Sequence, residues 1–131
     1  MDNLEKVIYA DESYKLNGIF FKAHNELGPY CREIQYCDAL EKLFVENNIP
    51  YNREVCLEPE SDLIKKSSNR VDFVVYDKII IEVKAVRFVG REEYNQVQRY
   101  LKTFNIKLGL LVNFQQRYLK PKRIINSTAK E

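Results

Sequence analysis

The sequence predicts a mixed α/β fold, in which helices lie on the faces of a mixed β-sheet. Three segments carry apolar residues at the spacing of an amphipathic helix, at 11–27, 29–48 and 91–104. Five β-rich runs are typical of strands: 51–57, 71–76, 79–85, 108–114 and 118–125. The resulting order is helix, helix, three strands, helix, two strands.

The length and composition are those of one globular domain. A chain of 131 residues can bury a sizeable core, and 45% hydrophobic with 31% charged residues is typical of a soluble protein. No apolar run in the sequence approaches the ~20 residues that a membrane-spanning helix needs. The first residues lack the basic start and apolar centre of a signal peptide, so we expect a cytoplasmic protein. We expect a single domain over 1–131, with an ordered core at about 8–125.

The first helix has a clear start, stripe and end. Asp11 or Ser13 can cap its start. Gly28-Pro29 ends it and begins the next helix, because glycine is favoured past a helix end and proline in a first turn. His24 lies beside the apolar stripe, where a lone histidine is usually a hydrogen-bonded structural residue and less often a metal ligand. The stripe comprises Leu16, Ile19, Phe20, Ala23 and Leu27.

The second helix carries an acid on its buried face. Glu33 precedes Tyr36 by three residues and therefore falls on the apolar stripe. Two interpretations remain open. Glu33 is either a snorkelling side chain at the helix N-terminus, where the dipole favours an anion, or a third acid that reaches toward the acids of the hairpin below. The stripe comprises Tyr36, Cys37, Leu40, Leu43 and Phe44.

The cysteines show no pattern of a metal site or a disulfide framework. Cys31, Cys37 and Cys56 make an odd count and contain no C-x-x-C pair. We expect Cys31 and Cys37 to lie on one helix, too far apart to form a disulfide. We therefore expect reduced thiols and no cysteine-ligated zinc or iron–sulfur site.

The central hairpin places three ionisable residues inside apolar strands. The runs 71–76 and 79–85 are apolar at almost every position, yet they contain Asp72, Glu82 and Lys84. Such groups are unfavourable in a buried strand unless they are paired or bind a metal. Glu82 and Lys84 are two residues apart, so they share one face of their strand.

The length of the hairpin loop decides whether Asp72 joins the other two. A two-residue loop at 77–78 leaves Asp72 on the opposite face, whereas a three-residue loop at 76–78 sets it directly across from Glu82. Two carboxylates at the ~5 Å Cβ spacing of a cross-strand pair repel one another unless a cation or a proton lies between them. We predict the three-residue loop, and with it a pair of neighbouring acids.

The remaining segments complete the sheet and its last helix. Gln96 and Tyr100 form a polar-tipped row beside the apolar stripe of the third helix. Pro121 confines the last strand to a sheet edge. The polar segment 58–69 is typical of a mobile loop, and we expect the tail beyond Asn126 to fray. The stripe of the third helix comprises Tyr94, Val97, Leu101 and Phe104.

Charge is distributed unevenly along the chain. Residues 1–64 carry 6 Lys and Arg against 13 Asp and Glu, whereas residues 65–131 carry 15 against 6. The basic half contains the hairpin, which suits a polyanionic partner such as nucleic acid. The alternative is that the two halves neutralise one another in the folded protein.

These motifs resemble a known superfamily. Asp72, nine intervening residues and Glu82-Val83-Lys84 form the pattern of the PD-(D/E)XK nucleases. The order helix, three strands, helix, strand resembles their core, and Gln96-x-x-x-Tyr100 resembles the glutamine–tyrosine motif of the RecB-type branch. The resemblance implies a restriction-endonuclease-like α-βββ-α-β core, with an extra N-terminal helix and a C-terminal edge strand.

A narrower resemblance, to the small GxxExxY proteins of that superfamily, runs from about Ile8 to Ile125. It is carried by five stretches: His-Asn-Glu-Leu-Gly-Pro at 24–29, Glu33 with Tyr36, Val-Asp-Phe-Val-Val at 71–75, Ile-Glu-Val-Lys-Ala at 81–85 and Gly-Leu-Leu-Val-Asn-Phe at 109–114. Two positions depart from the pattern. Tyr30 stands in place of the first glycine of the group's motif, and Val71 in place of the superfamily's proline.

The resemblance implies a nuclease that hydrolyses phosphodiester bonds, of DNA rather than RNA, with Mg²⁺ or Mn²⁺. Its catalytic residues would be Asp72, Glu82, Lys84, Gln96 and Glu33. Its metal ligands would be Asp72, Glu82, the Val83 carbonyl, and Glu33 directly or through water. Contacts to nucleic acid would come from Arg87, Arg91, Tyr100, Lys120, Lys122 and Arg123.

Two other interpretations compete with an active nuclease. The three hairpin residues could be a structural ion pair, although two carboxylates with one lysine leave a negative charge uncompensated. Alternatively, a nuclease fold could serve as an accessory that binds nucleic acid or protein without catalysis. The small size, with no visible room for a separate target-reading domain, favours such an accessory or an enzyme that depends on a partner. The partner could be a second copy in a homodimer or the members of a larger complex.

Overall fold

The computed structural model describes residues 7–56, 62–63 and 70–130, and within them the predicted order of elements is confirmed. The expected loop at 58–69 lies outside the described residues except at positions 62 and 63. The helices are α1 (Ala10–Leu27), α2 (Glu33–Glu46) and α3 (Arg91–Phe104). The strands are β1 (Tyr51–Cys56), β2 (Arg70–Val75), β3 (Ile79–Lys84), β4 (Leu108–Asn113) and β5 (Lys122–Ile125).

The five strands form one mixed sheet in the order β1-β2-β3-β4-β5. Only the β3–β4 pair is parallel among the described strands, and α3 makes the crossover that a parallel connection requires. β5 lies at the sheet edge, as Pro121 before it predicted. The mixed α/β class, with helices flanking a mixed sheet, is therefore confirmed.

The sheet separates two hydrophobic cores. Helices α1 and α2 pack on one face, where Phe20, Phe44 and Phe73 are fully buried. Helix α3 packs on the other face, where Val97 and Leu101 meet residues of β3 and β4. Because successive residues of a strand face opposite sides, Glu82 and Lys84 point toward the α3 face.

Several helix and strand ends differ from the predictions. α1 begins after Tyr9, which adopts a left-handed conformation with φ 53°, and neither Asp11 nor Ser13 caps it. Its last stripe residue, Leu27, is exposed rather than buried. α2 begins at Glu33 rather than at Pro29, because Tyr36 ties the intervening turn through its hydroxyl, which donates to the Gly28 carbonyl and accepts from the Cys31 amide.

The C-terminal segments also differ. β5 begins at Lys122, four residues later than predicted. The tail is hydrogen-bonded as far as Lys130: the Asn126 side chain donates to the Leu101 and Ile106 carbonyls, and the Asn105 side chain bonds both backbone groups of Lys130. Fraying is therefore not observed in residues 126–130. No described helix combines the length and apolarity needed to cross a membrane.

Gly109 allows α3 to pack closely on β4. A Cβ at this position would lie 2.7 Å from Val97 Cγ1, and a buried valine on a helix cannot turn away easily. Gly109→Ala is therefore expected to reduce the free energy of unfolding by about 1–3 kcal/mol. Urea titration followed by circular dichroism measures this change.

Gly18 provides the matched control for that substitution. It lies inside α1, and a Cβ there meets nothing within 4 Å. Gly18→Ala is expected to increase the free energy of unfolding by roughly 0.5–1 kcal/mol, because alanine has the higher helix propensity. If both variants changed stability in the same direction, close packing at Gly109 would not be the explanation.

Candidate active site

The hairpin formed by β2 and β3 has the predicted three-residue loop. Val75 pairs with Ile79, and the ladder continues to Phe73 opposite Ile81. The loop residues Tyr76 and Asp77 both have positive φ, 54° and 56°, as a tight reversal of the chain requires. This register brings Asp72 beside Glu82.

Beyond this ladder, the two acids bond reciprocally to the opposite strand. The Val83 amide donates to Asp72 Oδ2 at 2.7 Å, and the Asp72 amide donates to Glu82 Oε1 at 3.1 Å. The carboxylates thus take the place of the carbonyl acceptors of a regular ladder. We call this arrangement the acid pair. In each acid, one carboxylate oxygen accepts a hydrogen bond from a backbone amide of the opposite strand, and the second oxygen takes no part in that bond.

Burial makes the acid pair unfavourable in its fully ionised form. Glu82 is only 4% exposed, and burial, followed by the charge of Asp72, raises its pKa to about 8. Burial also raises the pKa of Asp72, against the opposing effects of the Val83 amide and the Lys84 charge. At neutral pH and without a bound cation, the pair therefore retains a proton.

Lys84 and Gln96 lie next to the acid pair on the α3 face. Lys84 Nζ donates to Gln96 Oε1 at 3.2 Å, across from β3 to the second turn of α3. The Lys84 charge lowers the pKa of both Asp72 and Glu82, although burial outweighs this effect. The structure thus brings together four of the predicted residues.

Glu33 lies at the rim of this group. It is the first residue of α2, and its Oε2 accepts a hydrogen bond from the Ala85 amide at 3.3 Å, just beyond β3. Its charge also contributes to the raised pKa of Asp72. Glu33 therefore has features of both interpretations of the sequence. It lies at a helix N-terminus, and its carboxylate reaches the end of the strand that carries Glu82 and Lys84.

Asn113 is a residue of the site that the sequence analysis did not single out. It is the last residue of β4, only 5% exposed, and stands beside Lys84 in the parallel register. Its Oδ1 accepts from the Val86 amide at 3.1 Å, and its Nδ2 donates to the Val86 carbonyl at 2.8 Å. Asn113 thereby fixes the segment that leaves β3 after Lys84. In the sequence, Asn113 is the one polar side chain at the end of an otherwise apolar strand, and this pattern could have identified it as a candidate site residue.

His24 has a structural contact. Its Nε2 lies 2.7 Å from the Gln116 carbonyl oxygen, and its ring lies against Phe114. This contact matches the structural interpretation of a lone histidine. Among the described residues, no three His, Cys, Asp or Glu side chains are gathered in a manner that could hold a metal. A metal at the acid pair would therefore need a backbone carbonyl and waters besides the two carboxylates.

The predicted nucleic-acid contacts separate into different regions. Arg91 is exposed at the start of α3. Tyr100 is only 2% exposed and packs between α3 and the sheet, so its ring is not available to a nucleic acid. Arg123 points to the α1 side, where it donates to the Ser13 hydroxyl and the Ile8 carbonyl at 2.6 Å each. Arg87, Lys120 and Lys122 line one common cavity.

Comparison with known proteins gives one match. A family model described as the PD-(D/E)XK nuclease superfamily matches residues 10–125. This span runs from the first residue of α1 to the last residue of β5 and includes Asp72, Glu82 and Lys84. Neither the curated proteins nor the solved structures gave a significant match.

Proposed function

The chain belongs to the PD-(D/E)XK nuclease superfamily, and on that premise we propose that it is a metal-dependent nuclease that hydrolyses phosphodiester bonds. We propose DNA rather than RNA as the substrate, one functional domain over residues 1–131, and a cytoplasmic location. The motifs at 24–36 and 109–114 and the Gln96–Tyr100 spacing support assignment to the GxxExxY group and the RecB-type branch.

The acid pair with its neighbouring lysine is the observation that carries the proposal. A buried pair of carboxyl groups that bond each other's strands is destabilised by its own charge. Replacing one of the two acids would relieve this repulsion and stabilise the fold. A purely structural role therefore does not explain why both acids are present. When both acids are ionised, Lys84 balances only one of their two negative charges, and a divalent cation would compensate the other.

The donors of the site suit Mg²⁺ or Mn²⁺. Carboxylate and carbonyl oxygens are hard ligands, and Mg²⁺ is usually held by one or two carboxylates while keeping several waters. In the proposed site, Asp72, Glu82 and the Val83 carbonyl would hold the ion, and Glu33 would reach it through water. When bound, such an ion lowers the pKa of a water molecule and offsets charge on the phosphoryl oxygens.

The remaining residues would bind and orient the substrate. Lys84 would direct its ammonium at the attacking water or at a phosphoryl oxygen, and the hydrogen bond that it donates to Gln96 Oε1 would hold it there. In the alternative role, the Gln96 amide would bond the water or the phosphate itself. The exposed cations Arg87, Lys120 and Lys122 would neutralise backbone phosphates without reading sequence.

A substrate panel with Lys84→Ala tests the proposal. Wild type is expected to cleave at least one of single-stranded, double-stranded and branched DNA with Mg²⁺ or Mn²⁺, and to stop when EDTA is added. Lys84→Ala is expected to reduce the rate by about 10²-fold, because a positioned cation near the phosphate is lost. Gel electrophoresis of labelled substrates measures both, and matched RNA substrates test the preference for DNA.

Lys78→Ala is the control for that substitution. Lys78 lies at the other end of the same hairpin, where it forms an ion pair with Glu12 at 2.7 Å, so its loss should leave the rate within about twofold. If the protein bound nucleic acid but showed no metal-dependent cleavage, the proposed nuclease activity would be contradicted. That result would support a non-catalytic accessory protein that binds nucleic acid.

A further inference from the structure

A cationic cavity lies beside the acid pair, and we call it the basic pocket. It encloses about 220 Å³, and its described lining has three cationic side chains and no acidic one. Its walls come from the segment after β3, from β4, and from the segment that leads into β5. Its lining includes Arg87, Phe88, Leu111, Lys120 and Lys122.

The sheet register fixes the distance from this pocket to the acid pair. Glu82 pairs with Leu111 on β4, and Leu111 pairs with Lys122 on β5. Adjacent strands are about 4.8 Å apart, so the backbone of Lys122 lies roughly 10 Å from that of Glu82. These residues share the α3 face of the sheet. The basic pocket is therefore within reach of a nucleic-acid strand whose scissile phosphate sits at the acid pair.

The charge of the pocket is available to a ligand. Arg87, Lys120 and Lys122 are exposed, and in the described part of the chain none of them forms an ion pair. The cavity is smaller than the roughly 300–1,000 Å³ typical of sites that take a whole small molecule. Its size and charge therefore suit one unit of a longer polyanion rather than a free metabolite.

Phe88 adds an aromatic surface to this charge. Its side chain is 78% exposed, and the Arg87 guanidinium lies 5.5 Å from the centre of its ring. An aromatic ring this exposed leaves most of its surface open to a partner molecule. Aromatic rings and arginine planes beside phosphate-binding cations are the surfaces on which unpaired bases stack.

We propose that the basic pocket binds an unpaired nucleotide beside the scissile phosphate, with its base stacked on Phe88 and its phosphates held by Lys120 and Lys122. The substrate is then single-stranded nucleic acid, or the single-stranded part of a branched one. In a duplex the base faces are already stacked on neighbouring bases, so the ring of Phe88 cannot stack on them. This inference deepens the proposed function and rests on it.

Binding to three oligonucleotides of equal length tests the proposal. The probes are a labelled single strand, the same strand with abasic sites in place of its bases, and the corresponding duplex. Fluorescence anisotropy in EDTA measures affinity without cleavage. Wild type is expected to bind the single strand about tenfold more tightly than the abasic strand, because only the former offers bases to stack.

Phe88→Ala is expected to abolish that discrimination. It should weaken single-strand binding about tenfold and leave abasic and duplex binding within about twofold. Phe88→Trp should retain the discrimination, because the ring remains. Tyr14→Ala is the matched control, since Tyr14 is 83% exposed on α1 and should not alter any of the three affinities. Circular dichroism checks that each variant is folded.

Two results would overturn the inference. One is equal wild-type affinity for the single strand and the abasic strand. The other is a Phe88→Ala variant that retains the discrimination or weakens all three probes alike. Failure of the proposed function is a separate result, because it is recorded as the absence of metal-dependent cleavage in the substrate panel, whereas the binding measurement requires no cleavage.

Lys122→Ala examines the phosphate contact of the same pocket. For single strands, each phosphate contact contributes about 0.7 to the slope of log affinity against log salt concentration. The variant is therefore expected to reduce the magnitude of that slope by about 0.7 while keeping the preference for bases over abasic sites. An unchanged slope would exclude Lys122 as a phosphate contact and overturn this part of the proposal.

Discussion

Glu82→Gln is expected to lower the rate of metal-dependent cleavage by about 10³-fold while leaving the protein folded. The amide keeps the size of the side chain, and its oxygen can still accept from the Asp72 amide. It lacks the negative charge that a divalent cation requires, and loss of the ion removes several kcal/mol of transition-state stabilisation. The ratio kcat/KM on the best oligonucleotide of the panel, at saturating Mg²⁺, measures the change.

Glu54→Gln is the control for the loss of an acid from the same sheet. Glu54 lies on β1, the strand next to β2, and its exposed carboxylate forms an ion pair with Arg70 at 3.1 Å. Such a surface pair contributes little to stability, so the rate should stay within about twofold of wild type. A Glu82→Gln variant that kept more than a tenth of the wild-type rate would rule out Glu82 as an essential metal ligand.

The second expected result concerns stability against pH. Without divalent ions, the free energy of unfolding of wild type should fall as pH rises between 4.5 and about 8, relative to Glu82→Gln. In that interval the folded protein keeps a proton on Glu82 that the unfolded chain has released, so rising pH favours unfolding. The loss is complete above about pH 8 and amounts to a few kcal/mol. Urea titrations at pH 5, 6, 7 and 8 measure it in both proteins.

Mg²⁺ should reverse this loss in wild type alone. The ion binds the ionised acid pair, so its stabilising effect is expected to be larger at pH 8 than at pH 5 and to reach about 2.7 kcal/mol at 100 times the dissociation constant. Glu82→Gln should show little of it. Parallel pH profiles for wild type and Glu82→Gln would contradict the raised pKa of Glu82, and an equal response to Mg²⁺ would contradict its role as a ligand.

The sequence predicted the elements that depend on local pattern. The bounds of α3 follow from its apolar stripe and from the glutamates of its first turn, and the structure reproduces them. The neighbouring positions of Asp72 and Glu82 follow from the length of one loop, because a strand has a period of two. These features need no knowledge of distant contacts.

Other features depend on individual side-chain contacts that no periodic pattern marks. The start of α2 at Glu33 depends on Tyr36, whose hydroxyl bonds the preceding turn. The role of Asn113 depends on a bond to Val86, 27 residues away. Neither contact can be inferred from spacing.

The two adjacent cations of the edge strand β5 lie on different faces of the sheet. Lys122 and Arg123 are adjacent, so strand alternation already places them on opposite faces of the sheet. Only Lys122 shares the face of Glu82, while Arg123 turns toward α1. The same rule applied to β5 would have removed Arg123 from the predicted nucleic-acid contacts.

The reciprocal bonds of the acid pair separate two titrations that overlap in any bulk measurement. The Asp72 amide bonds the Glu82 carboxylate, whereas the Val83 amide bonds the Asp72 carboxylate. Ionisation strengthens an acceptor, so each backbone N–H responds to the acid of the other strand. In a nitrogen-15 correlation spectrum, the Asp72 resonance thus reports the protonation of Glu82, and the Val83 resonance reports that of Asp72.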